Sequence, residues 1–137
     1  MEQPVAQFSL QGIQVKESSF TQSAEAYGNE FKIDTNASGV VHAANRTFQL
    51  HLRVRVYDES GRFEARIHQV GNFVFDQDIT EATLTNFFVI NAPAMLFPFV
   101  RSYIAALTAL SGYETILLPA LNMQALGESL RENIVHE

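Results

Sequence analysis

The chain has no cysteine, which leaves histidine, carboxylate and arginine side chains to do any chemistry. Disulfides, thiolate metal sites and cysteine nucleophiles are thereby excluded. His51 and His68 come closest to a metal-ligand pattern, on one face of a predicted hairpin beside Arg53, Arg55 and Arg66. Two imidazoles without a third ligand make a poor zinc site, and solvated strand histidines are the simpler reading. Asp76, Asp78 and Glu81 lie close together but lack the alternating oxygen ligands and central glycine of a calcium loop. Asp78 or Thr80 capping a following helix accounts for them. There is no GxSxG elbow, Gly-rich phosphate loop or HExxH pair. The chain is therefore expected not to be an enzyme and to need no metal or other cofactor.

Arg46, Arg53, Arg55, Arg62 and Arg66 gather near the same hairpin. A basic strand face suits an acidic partner, but Glu59 and Glu64 sit among the arginines and only Tyr57 is aromatic there. Cross-strand Arg–Glu pairs on a solvated face explain this as well. The whole chain carries a formal charge of −6 at pH 7, which argues against nucleic acid or an anionic membrane as partner. Eleven Phe and four Tyr are many for 137 residues, and Phe20, Tyr27, Phe63 and Tyr113 fall in loops or near turns. Aromatic walls of that kind suit an extended apolar peptide; burial in the core is the plainer alternative.

The length suits one domain, residues 1–137. Residues 1–78 read mainly as strands, 79–133 as helical and 134–137 as a frayed tail. The start has neither the basic nor the apolar region of a signal peptide, so a cytoplasmic protein is expected. No residue from Ala82 to Val100 is charged, yet Thr83, Thr85, Asn86, Asn91, Pro93 and Pro98 interrupt the run, which argues against membrane insertion.

Phe48, Leu50, Leu52, Val54 and Val56 alternate with polar residues, and Phe63, Ala65 and Ile67 resume the alternation after Asp58-Glu59-Ser60-Gly61. This period of two predicts an antiparallel hairpin. Phe8, Leu10, Ile13 and Val15 predict another strand with a bulge at Gly12, and Phe31 and Ile33 a shorter one. Ser18 to Asn29 reads as a crossing loop, and Asn36 to Asn45 carries turn residues. Ile79 to Phe88 suggests a short helix. Asn91 is a suitable N-cap with Pro93 in the first turn, and a helix from there should end at Ser111-Gly112 with a kink or break at Pro98. Asn122 should cap a last helix.

Leu96, Phe99, Val100, Tyr103, Ile104, Leu107 and Leu110 share one broad face of the long helix, which should cover the sheet. The other side carries Pro98, Ser102, Ala105 and Ala109 rather than charge. Small residues there admit another helix backbone, which implies a subunit interface; the short helices of the same chain are the alternative cover.

Asn91-Ala92-Pro93-Ala94-Met95-Leu96-Phe97-Pro98-Phe99-Val100-Arg101 resembles the signature of the SecB protein-export chaperone family. The likeness continues through Leu117-Leu118-Pro119 and Ala125-Leu126, and reaches back over Phe8 to Phe20 and Gln69 to Phe73. It implies an α+β fold: a four-stranded antiparallel sheet packed against a long helix, plus a short C-terminal helix. It also implies an ATP-independent chaperone, a homotetramer built as a dimer of dimers. Such a chaperone holds unfolded or precursor polypeptides for export and delivers them to the SecA motor. By position, Tyr27, Phe63 and Phe99 match the family's deep aromatic peptide subsite, and Phe31 the neighbouring groove. Gly127 stands where the family has an aromatic, which implies a wider or differently closed groove.

The family's motor-docking face is acidic. Glu17 matches it, but Thr21 and Arg66 stand at two other acidic positions and Glu64 replaces an apolar one. A basic face of Arg53, Arg55 and Arg66 would repel a positively charged docking segment. The fold is thus expected more firmly than SecA binding, and a dedicated client such as an antitoxin is the other pathway. The alternative from a different class is an interaction protein that binds one folded partner through the basic sheet face.

Overall fold

A computed structural model describes residues 7–23 and 30–137. Five strands form one sheet in the order β1-β4-β3-β2-β5: β1 (Phe8–Gln22), β2 (Lys32–His42), β3 (Thr47–Tyr57), β4 (Phe63–Phe75) and β5 (Ile134–His136). The helical part comprises α1 (Glu81–Asn86), a π-helical turn Phe87–Asn91, α2 (Ala92–Leu110) and α3 (Met123–Arg131). The helices cover one face of the sheet.

The β3–β4 hairpin follows the alternation in the sequence. Phe48, Leu50, Leu52, Val54 and Val56 point to the helices and are buried, as are Phe63, Ala65 and Ile67 opposite them. The Asp58 carboxylate accepts from Ser60 N at 2.6 Å, closing the turn. β1 shifts register between Leu10 and Gly12, where a bulge was expected, and again between Val15 and Glu17.

Three expectations about the sheet need correction. Ser18 to Gln22 continues β1 instead of opening a crossing loop. Asn36 to Gly39 lies inside β2 instead of a turn. A Cβ at Gly39 would stand 2.6 Å from the Phe48 ring. That ring is fully buried and stacked on Phe88 with centroids 4.2 Å apart, so it cannot yield. Glycine here admits a close approach between strands. The tail expected to fray pairs parallel to β2, with Glu137 N donating to Val41 O at 2.8 Å, and makes the fifth strand.

The helices also join differently. Asn91 is itself helical (φ −77°, ψ −42°) and caps nothing with its side chain. Thr80 is the cap, accepting from Thr83 N at 3.3 Å, and α1 runs through the π turn into α2 without a break. Pro93 lacks the N–H that would engage the Val89 carbonyl, and the wider π turn accommodates it. α2 also continues unbroken through Pro98. Asn122 caps α3 as expected, accepting from Ala125 N at 3.1 Å.

By length and composition alone, Glu81–Leu110 passes as a membrane span. Its Leu96, Val100 and Ile104 are instead fully buried with the sheet residues, each burial stabilising by about 1.5–3 kcal/mol. The expected core face was partly wrong: Leu110 is 88% exposed, while Phe97 and Thr108 are buried. Many of the phenylalanines are core. Phe8 stacks between Phe73 (4.9 Å) and Phe87 (5.2 Å), beside the Phe48–Phe88 stack.

Candidate functional site

α2 lies along β1 and is tied to it by two contacts. The Tyr103 hydroxyl donates to Ser18 Oγ at 2.9 Å, and Gln22 Nε2 donates to Ser111 O at 3.0 Å. Between α2 and β1, on the Phe99 side of these contacts, runs a cleft of about 460 Å³ lined by Ile13, Gln14, Val15, Gln69, Phe99, Ser102 and Tyr103. Phe99 is 41% exposed and Ile13 45% exposed, both large for solvent-facing apolar groups. Gln69 is buried on the cleft floor and donates to Gln14 O at 3.2 Å. The cleft sets the apolar Ile13, Val15 and Phe99 beside the polar Gln69, Ser102 and Tyr103, a lining with room for an apolar side chain.

The aromatics expected to share one subsite occupy different surroundings. Phe63 is only 3% exposed, with its ring 5.0 Å from Tyr113, which also meets Phe20 at 5.5 Å. Among the described residues no ring contact joins Phe63 to Phe99. Phe31 is half-buried at a second cleft, with Ile33 and Pro119, beside the β3–β4 turn. Tyr27 lies outside the described residues. Gly127 is buried where α3 packs against the π turn, and it borders a separate cleft of about 410 Å³ with Val89, Ile90 and Met123.

Arg101 and Thr108 have roles that composition did not suggest. Arg101 Nε donates to Leu118 O at 3.1 Å, and its guanidinium lies over the Phe97 ring at 5.1 Å. The Thr108 hydroxyl donates to Ile104 O at 2.9 Å and accepts from Ile116 N at 3.0 Å. Together they hold the connector between α2 and α3 against the long helix. A Thr within a predicted helix gave no signal of this.

The opposite, outward sheet face carries the charged residues. Glu17, Glu64 and Arg66 lie there on β1 and β4, with Thr21 across from Glu64. The expected basic face is largely neutralised by its own carboxylates. Arg55 bridges Asp34 (3.3 Å) and Glu64 (3.0 Å) and stacks on Tyr57 at 3.8 Å, while Arg66 also pairs with Glu64. The two guanidinium groups hold the Glu64 carboxyl below its ordinary range, Arg66 contributing most. Arg53 has no ion-pair partner among the described residues. No group of three metal-ligating side chains forms among the described residues.

Pro98, Ser102 and Ala109 are exposed on α2 and Ala105 is half-buried, a strip of small residues of which Ser102 also borders the cleft. The molecule is therefore an α+β protein with a long helix on an antiparallel sheet and an apolar cleft between them. The family model described as "Preprotein translocase subunit SecB" matches residues 1–132, and the chain belongs to the SecB family. The "Protein-export protein SecB" of Anaplasma marginale (strain Florida) is 29% identical over 87 residues, 61% of this chain and 50% of that protein. That of Anaplasma phagocytophilum (strain HZ) is 36% identical over 59 residues, 42% of this chain and 37% of the relative. The aligned part thus spans about half or less of these relatives. Among solved structures, the Mycobacterium tuberculosis Rv1957 SecB-like chaperone, in complex with a ChAD peptide from the Rv1956 HigA1 antitoxin, has the same fold. Its TM-score is 0.71 at 15% identity, covering 85% of this chain and 88% of that one.

Proposed function

We propose that this protein is an ATP-independent holdase that binds unfolded polypeptides along the cleft between β1 and α2. The observation that carries this reading is the pair of exposed apolar side chains, Phe99 and Ile13, lining one cleft in a SecB-family fold. Exposed apolar surface of this kind binds segments that a folded protein keeps inside. The strip of Pro98, Ser102, Ala105 and Ala109 supports assembly into a homotetramer, with α2 helices packed between outward-facing sheets.

Export from the cytoplasm is the pathway that the protein-export relatives favour, with SecA as recipient; an antitoxin is the client that the mycobacterial neighbour favours. The outward face distinguishes them: Glu17 and Glu64 stand among Arg53 and Arg66, a poor surface for a basic docking segment.

The test is dilution of a chemically unfolded, unrelated protein into buffer with and without the chain, lacking nucleotide, followed by light scattering. Suppression of aggregation is expected. A well-folded oligomer that suppresses nothing refutes the reading.

A further inference from the structure

On the outward face, His51 of β3 and His68 of β4 meet with His51 Nδ1 2.8 Å from His68 Nε2. The neighbouring amides extend this contact along the two strands. Gln49 Nε2 donates to Asn72 Oδ1 at 3.1 Å, which turns the Gln49 carbonyl oxygen toward His51 Nε2 at 2.9 Å. With the amides in this orientation His51 carries its proton on Nε2 and accepts at Nδ1 from His68 Nε2–H, while either orientation needs one bare ring nitrogen in the His51–His68 contact. The result is a one-way chain, His68 to His51 and Gln49 to Asn72, that links the two strands twice over their outer faces.

We propose that the His51–His68 contact is an acid-sensitive latch, closed at neutral pH and opened by protonation, which turns the outward face basic. A first proton fits at His68 Nδ1, since an imidazolium still donates from Nε2. A second proton on His51 Nδ1 places two N–H groups head to head, and the contact breaks. Burial and the nearby Arg53 and Lys16 oppose charge on both rings, and a charged His68 opposes it further at His51; Glu17 favours charge at His68.

The setting makes two added charges count. Around the pair stand Lys16 and Glu17 from β1, Arg53 and Arg55 from β3, Glu64 and Arg66 from β4, and Asp34 from β2. These leave one cation in excess at neutral pH. His68 lines a pocket of about 250 Å³ with Arg53, Arg66, Asp34 and Glu17, so its charge faces whatever docks there.

The test follows the imidazole resonances of the full chain by NMR from pH 8 to 5, with binding of a poly-aspartate peptide at low salt as second readout. Both rings are expected to titrate below the usual value of about 6.5, His51 last, and His68→Ala to raise the His51 midpoint. Peptide binding is expected to strengthen ~3-fold or more on acidification, and less so in the folded H51Q/H68Q variant. Independent titration of the two rings at the ordinary value overturns the latch. Equal acid response of peptide binding in both proteins overturns it as well.

Discussion

Gly127 lies so close to Val89 that a Cβ on it would stand 2.5 Å from the Val89 carbonyl oxygen. That carbonyl is the one Pro93 cannot engage, so the proline and the glycine are two halves of one arrangement. The π turn turns a backbone oxygen toward α3, and only a residue without a side chain lets α3 reach it. Gly127→Ala is expected to destabilise the fold by about 1–3 kcal/mol, read by urea denaturation. Gly12→Ala, where a Cβ meets nothing within 4 Å, serves as control; equal midpoints for both variants would refute the contact.

Phe63 and Phe99 should separate on mutation. Phe63→Ala is expected to cost about 3–5 kcal/mol, because its buried ring packs on Tyr113. Phe99→Ala should leave the melting temperature nearly unchanged and weaken capture of unfolded clients. A Phe99 variant that loses stability but holds clients normally would place Phe99 in the core instead of the cleft.

Thr108→Val keeps the side-chain shape and removes the acceptor for Ile116 N. A buried amide left without a partner costs about 1–3 kcal/mol. Faster amide exchange at Ile116 and its neighbours is expected, ahead of global unfolding. Unchanged exchange there would mean that the connector is held by other contacts.

The histidine pair predicts a pH dependence of stability. Burial lowers the pKa of both rings in the folded chain below the unfolded value of about 6.5. The unfolded chain then binds more protons in the interval between, so stability rises with pH there. The contribution is complete above about pH 6.5 and is lost as pH falls through the folded values. Urea midpoints from pH 8 to 5 should show this slope, and H51Q/H68Q should flatten it; an unaltered slope would assign it to other groups.

The parts legible in the sequence are those where one local pattern had one meaning. The alternation of Phe48 to Val56 against Phe63 to Ile67 specifies the hairpin, and Asn122 specifies the start of α3. Gly39 and Asn91 misled because their local signal is ambiguous. A glycine among polar residues looks the same in a turn and beneath a packed Phe48 ring. An Asn-x-Pro run looks the same at a helix start and across a π turn. The arginines of the outward face read as basic until cross-strand register placed Glu64 between Arg55 and Arg66. For the cleft, Phe99 stood out by family resemblance, whereas Ile13 was legible only as a strand residue, and its exposure depends on how α2 lies along β1.

The two borders of the sheet are unequal. β5 covers the β2 border with three residues, whereas β1 presents a border of fifteen with no strand beyond it among the described residues. Open backbone of that length invites pairing with another chain. A two-fold union through β1 would consume both fifteen-residue borders at once, leaving outside β5 and the part of β2 that it does not cover. Pairing of this kind is exhausted at β1 once two copies have joined there.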